Sequence, residues 1–221
     1  MGIAECKPQE ITNERSPMEF VYDSATEASA RAKIYAFLAE VFSSHPTQGA
    51  LRVVRQIAST LKISFPNNFS LTELDREYME LFVVSSPRYV APYESVFHDR
   101  WMLSDFQNAK KNLALISKRS LAMEETSIEV RRAYINMGVF PDKGLPDHIA
   151  NELSFMAYLW LREAGASTEK MKELSELRKK FCEEHLLKWM GLLRERVMKS
   201  EHLGFYGAVL QITEVLLQDE K

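Results

Sequence analysis

Apolar residues in this chain recur three and four positions apart, and that spacing decides most of what it can fold into. Ile34, Phe37, Leu38 and Val41 form one such stripe, and Leu71, Leu74, Tyr78, Leu81 and Phe82 form another. Side chains so spaced share one face of an α-helix, whereas a half-buried strand needs alternation. No strand-length segment alternates, and 8 glycines and 8 prolines are too few for the tight turns of a β-sandwich. With 221 residues, 46% of them apolar, the chain suffices for one buried core. The expectation is an all-α fold: a polar, flexible tail over residues 1–22, then a single domain of about eight or nine helices over 23–221.

The first expected helix starts at Ser24, read as an N-cap with Glu27 completing a capping box, and stops before Pro46. Further helices are expected from about Gln48 to Leu61, over 71–83, and from about Asp99 to Ser117. Another spans about Glu125 to Met137 and closes at Gly138. The next begins at Pro146–Asp147 and runs to about Glu163; a charged helix covers Thr168 to Lys199, and "HLGFYGAVLQITEVLLQ" forms the last.

Charge excludes one class of partner. The formal net charge is −3, and from Glu169 to Glu201 both signs alternate as on a solvated helix face, so nucleic acid is not expected. Of the 2 cysteines, Cys6 lies in the polar tail and Cys182 in a helix, which fits a reducing, cytoplasmic setting. No apolar run approaches the roughly 18 residues that cross a bilayer. The first twenty residues lack the basic-then-apolar pattern of a secretory leader, and Cys6 stands where a myristoylation motif requires Ser or Thr.

Catalytic and metal signatures are incomplete. Glu94 and His98, His148 and Glu152, and Cys182 and His185 are spaced to share helix faces, yet no pair finds the second pair that a closed site needs. Neither metal nor cofactor is expected. Ser95 lacks the flanking glycines of a nucleophile elbow. Asp147 and His148 are adjacent, so on a helix their side chains diverge by about 100°. Asp147 is read as an N-cap, accepting from the Ala150 amide. A small helical metal- or nucleotide-binding protein or enzyme using Asp147, His148 and Glu152 stays open as an alternative.

The connector "SSPRYVAPYESVFHDRW" (85–101) holds two prolines and several aromatics. Pro92 fixes the backbone and turns Ala91 away from helix, which would hold Tyr93 at a defined angle. Phe82 and Phe97 read as core. A surface connector rich in aromatics reads as a recognition site.

Two blocks, "LTELDREYMELFVVSSPRYVAPYESVFHDR" (71–100) and "LPDHIANELSFMAYL" (145–159), resemble the TorD/DmsD/NarJ family of redox-enzyme maturation chaperones. The resemblance lies in an acidic-aromatic-Leu-Phe helix, an Ala-Pro-aromatic-x-Ser-Val turn and a Pro-Asp-His helix start. It implies an all-helical, non-catalytic, cytoplasmic protein that binds the twin-arginine signal peptide and immature catalytic subunit of a molybdopterin-dependent oxidoreductase. Such a protein assists cofactor insertion and proofreads before export; its partners extend to the twin-arginine translocation machinery. The implied peptide-binding residues are Tyr78, Leu81, Phe82, Pro92, Tyr93, Glu94, Ser95, Arg100, Asp147 and His148. An apolar groove would take the leader's apolar stretch, and Glu77, Glu80, Glu94 and Asp147 would meet its arginines. Tyr93 stands where many relatives carry Trp, and "VVSSP" replaces a Gly-Pro after the Leu-Phe, so groove floor and cargo are expected to differ. A permanent structural subunit of a redox complex is the other alternative.

Overall fold

Pro17 opens the first helix of the computed structural model, which describes residues 17–97, 113–141 and 144–220, the side chains of 17–24 and 113–124 excepted. Helix α1 (Pro17–Ser43) thus begins seven residues before the expected cap. Proline suits a first helical position, where its missing N–H would have no partner. Ser24 and Glu27 lie inside α1, so their Ser-x-x-Glu spacing is not a capping box here. The pattern recurs by chance wherever polar residues line a helix.

Helix α2 (Gln48–Thr60) follows, its first turn closed by Thr47 Oγ1 accepting from the Ala50 amide at 3.1 Å. Helix α3 (Leu71–Tyr78) carries a full capping box: Ser70 Oγ accepts from Glu73 N at 3.2 Å, and Glu73 Oε2 accepts from Ser70 N at 2.7 Å. It continues into a π turn (Met79–Val83), where the Val84 amide reaches back to Met79 O at 2.8 Å. A short α4 (Glu94–Phe97) comes next. Helix α5 (Leu113–Asn136) runs unbroken across 117–125, where two helices were expected. That stretch contains no glycine or proline to stop it. Gly138, at φ 70°, supplies the left-handed turn that ends the run, as expected.

The remaining helices are α6 (Ile149–Ala164), α7 (Thr168–Phe181), a second π turn (Cys182–Leu186), α8 (Leu187–Ser200) and α9 (Phe205–Gln218). The expected charged helix 168–199 is thus one continuous rod with a π turn inserted. Among the described residues the sole β-type pairing is an isolated antiparallel bridge between Tyr93 and His148, and no helix is long and apolar enough to cross a membrane.

Helix α1 lies along α6, and α6 against α7; α8 and α9 form a second pair. Tyr35, Leu38, Leu153, Met156, Leu159, Trp189 and Tyr206 are buried between them. Fully burying one such side chain contributes about 1.5–3 kcal/mol. At one end, Phe82 meets Phe42 edge-on at 5.9 Å and Tyr206 at 5.0 Å. Beside this aromatic cluster, buried Glu77 accepts from Arg88 Nη2 (2.7 Å) and from the amides of His202 (2.6 Å) and Leu203 (3.1 Å). Arg88 also donates to Glu80 Oε2 at 2.5 Å and to Ser200 O at 2.6 Å. The loop leading to Pro92 is therefore pinned to the α8–α9 turn.

Candidate functional site

Two segments far apart in sequence meet to form a corner. The Glu94 amide donates to Asp147 O at 2.9 Å, and the Ile149 amide donates to Pro92 O at 2.9 Å. Proline fits because this seam asks it for a carbonyl and not for an N–H. The rings of Tyr93 and His148 then stand edge to face, 5.1 Å apart.

Helix starts cap one another across the seam. Asp147 Oδ2 accepts from the Ser95 amide at 3.1 Å, so it caps α4 and not α6. The N-cap of α6 is His148, whose Nδ1 accepts from Ala150 N at 3.1 Å. This corrects the expectation that Asp147 would accept from Ala150. Asp147 is held by the interior, and the residue after it takes the cap.

Beneath the corner lies a buried acidic cluster. Glu94 Oε2 is 2.9 Å from His185 Nδ1, and Glu152 Oε2 accepts from Trp189 Nε1 at 3.2 Å. Phe97 stacks on Trp189 at 5.6 Å. Among the described residues, one oxygen each of Glu94, Asp147 and Glu152 finds no donor. Burial, reinforced by the Glu94 carboxylate, pushes the Glu152 carboxyl well above the usual range. Tyr134 closes the site from α5, donating to Pro146 O at 2.9 Å.

In front of the corner opens a cleft of about 730 Å³, within the range of sites that hold small ligands or short segments. Tyr78, Tyr93, His148 and Phe155 line it on one side of the corner, and Ala36, Ala39 and Ser43 of α1 face Ala150, Ser154 and Ala157 of α6 along its length. Small residues let these two helices lie close and leave a smooth trough. Phe140, 64% exposed, and Tyr158 stand at the rim. Burial lowers the His148 pKa, with Asp147 opposing, and raises that of Tyr93, so both are neutral near pH 7.

Of the sequence-derived residues, Tyr78, Tyr93 and His148 reach the cleft together. Leu81, Phe82 and Pro92 are buried behind it, Phe82 and Phe97 as core residues as expected. The acids expected to meet arginines already have partners: buried Glu77 and partly exposed Glu80 on Arg88, Glu94 on His185, and Asp147 on the Ser95 amide. Ser95 is buried as well. Direct contact between Glu94, Ser95 or Asp147 and a guest is thus replaced by a framework role, because each is enclosed and already bonded. Arg100 and His98 lie outside the described residues. Among the described residues no group of three His, Cys, Asp or Glu is set to hold a metal.

The α1 wall, Phe140 and Tyr158 were not singled out from the sequence. Phe140, next to Pro141 in a turn-rich connector, carries the same signal that marked Tyr93; the alanines and serines carry none.

A family model described as "Nitrate reductase delta subunit" matches residues 45–195, more than half of the 221 residues. The chain belongs to the nitrate reductase delta subunit family. The TorD/DmsD/NarJ resemblance of the two quoted blocks, both inside the match, agrees with this membership. A "Chaperone protein TorD" of Vibrio cholerae serotype O1 (strain ATCC 39541 / Classical Ogawa 395 / O395) is 24% identical over 177 residues, 79% of this chain and 72% of its own. A "Chaperone protein TorD" of Vibrio atlanticus (strain LGP32) is 25% identical over 138 residues, 62% of this chain and 57% of its own. No solved structure matches the chain significantly. The nitrate reductase delta subunit match covers the corner and α6 but stops short of α1, so one wall of the cleft lies outside it.

Proposed function

We propose that this protein is a maturation chaperone of the TorD kind. In this reading it holds the apolar leader segment of a redox enzyme's immature catalytic subunit in the α1–α6 cleft. The enzyme is of the molybdopterin-dependent class, and the hold lasts until its cofactor is loaded and it is released for export. The observation that carries this reading is the pairing of Tyr93 and His148 at the mouth of a smooth cleft, on a corner inside the family match. The relatives named as chaperones support it.

Magnitudes fit a reversible hold. Burying about 500 Å² of apolar leader surface contributes roughly 12 kcal/mol gross. Association and ordering of the leader offset several kcal/mol of that. The remainder, about 8 kcal/mol, corresponds to a micromolar complex that a later partner can displace. Since no buried acid among the described residues faces the cleft, affinity comes mainly from apolar contact and should fall only a few-fold with added salt.

Calorimetry with a synthetic leader peptide tests this. Tyr93→Ala should weaken binding by about ten-fold, the loss of one well-placed aromatic, with the helical fold retained by circular dichroism. Equal affinity in the variant would sink the reading. The family's description as a subunit favours a second reading, permanent assembly with the enzyme. Copurification with the mature holoenzyme, and not with the precursor, would select it.

A further inference from the structure

With the buried acids engaged elsewhere, a leader's basic residues need another partner, and the cleft offers one. Among its described lining residues, Glu40 is the one Asp, Glu, Lys or Arg. It is exposed on α1, and its carboxylate is bonded to no described residue; Ser44 Oγ donates to its main-chain oxygen at 2.9 Å. Glu40 also lines a neighbouring hollow of about 480 Å³ with Phe37, His45 and Arg52, so it stands on the ridge between the two.

Its place on the helix is unfavourable without a partner. Glu40 lies in the last turn of α1, where unpaired carbonyls already gather negative charge and no basic residue offsets it. A cation resting there is favoured twice, by the carboxylate and by the helix end. The site remains in water, so neither charge is stripped of its hydration. An exposed glutamate is most often a solvated one; what distinguishes Glu40 is that it is the one Asp, Glu, Lys or Arg among the described residues that line the trough.

We propose that Glu40 reads the basic residues flanking the apolar segment and thereby sets the register in which the leader lies in the cleft. This rests on the chaperone reading above. Because an exposed ion pair is weak, Glu40 discriminates by roughly two- to five-fold and does not hold the guest. Arg52 and His45, across the adjoining hollow, limit the effect, although His45 is paired with Asp75 at 2.5 Å.

The experiment is a double-mutant cycle by calorimetry on the full chain at low salt. Wild type, Glu40→Gln and Glu40→Arg are each titrated with an Arg-Arg leader peptide and with its Gln-Gln counterpart. Glu40→Gln should cost about three-fold for the Arg-Arg peptide and nothing for the Gln-Gln peptide, converging as salt rises. Glu40→Arg should cost more, again for the basic peptide alone. Equal losses for both peptides, or none, overturn the proposal. Tyr93→Ala on the same pair separates the two failures. If it weakens both peptides while Glu40 distinguishes neither, Glu40 is not the reader and the cleft reading stands. If it weakens neither, the cleft reading falls and Glu40 falls with it.

Discussion

Two buried polar clusters in this protein differ in charge balance. In one, Arg178 donates to Glu163 Oε1 at 2.6 Å and pairs with Glu220, while Tyr35 (2.8 Å) and Trp160 (3.0 Å) donate to the other Glu220 oxygen. The guanidinium lies 3.5 Å from the centre of the Trp160 ring. One cation thus meets two carboxylates and a π face. In the other, under the corner, Glu94, Asp147 and Glu152 share His185, Trp189 and one amide. Three carboxyl groups there lack enough donors, and burial beside Glu94 raises the Glu152 pKa. The first cluster locks the chain's end to α1, α6 and α7. The second sits beneath the cleft and leaves one oxygen of each of its three acids without a donor among the described residues.

Removing a buried acid should therefore have opposite results in the two places. Glu220→Ala leaves Arg178 enclosed with one partner fewer, and urea unfolding should register a loss of about 3–5 kcal/mol. Glu152→Gln keeps an acceptor for Trp189 and removes a group that resists ionisation. It should matter least near pH 4.5 and become increasingly stabilising as pH rises toward 8. A loss similar to that of Glu220→Ala would erase the contrast.

The pH dependence follows from the same group. A carboxyl whose folded pKa is raised contributes stability in full below its unfolded value of 4.5 and loses it as pH rises toward the folded value. Glu201, pushed up to about 7 by burial, acts in the same direction between pH 4.5 and 7. Melting temperature should fall from pH 5 to pH 8, and less steeply in Glu152→Gln; identical slopes would count against a raised Glu152 pKa. His148 works the other way. Its lowered pKa gives stability that is present above 6.5 and lost as pH falls, since a protonated Nδ1 can no longer accept from Ala150. The smallest effect is expected from His148→Asn, since asparagine is a good cap: stability within about 0.5 kcal/mol, but weaker leader binding once the ring against Tyr93 is gone. Unchanged binding would confine His148 to capping.

Helices were legible because their apolar stripes are local. Leu74, Tyr78 and Leu81 announce α3 without reference to anything distant, and Gly138 announces the end of α5. The start of α1 was misplaced because a serine three before a glutamate looks the same inside a helix as at its edge. In the site, the meeting of Pro92–Tyr93 with Asp147–His148 was legible through family resemblance. The fate of the acids was not. Glu77 finds Arg88 11 positions on, and Glu94 finds His185 91 positions on; sequence displays a charge but not the partner that neutralises it. The α1 wall was illegible for a simpler reason, since Ala36, Ala39 and Ser43 make a trough by what they lack.

The seam at the corner is written in peptide groups. The two links that join Pro92–Glu94 to Asp147–Ile149 run from amide to carbonyl, so a side chain enters the joint only where Asp147 caps the Ser95 amide. Substitutions along the trough can alter its shape and polarity while the joint beneath keeps its angle. A lineage could in this way retune which enzyme it attends without having to refold its way to a new specificity.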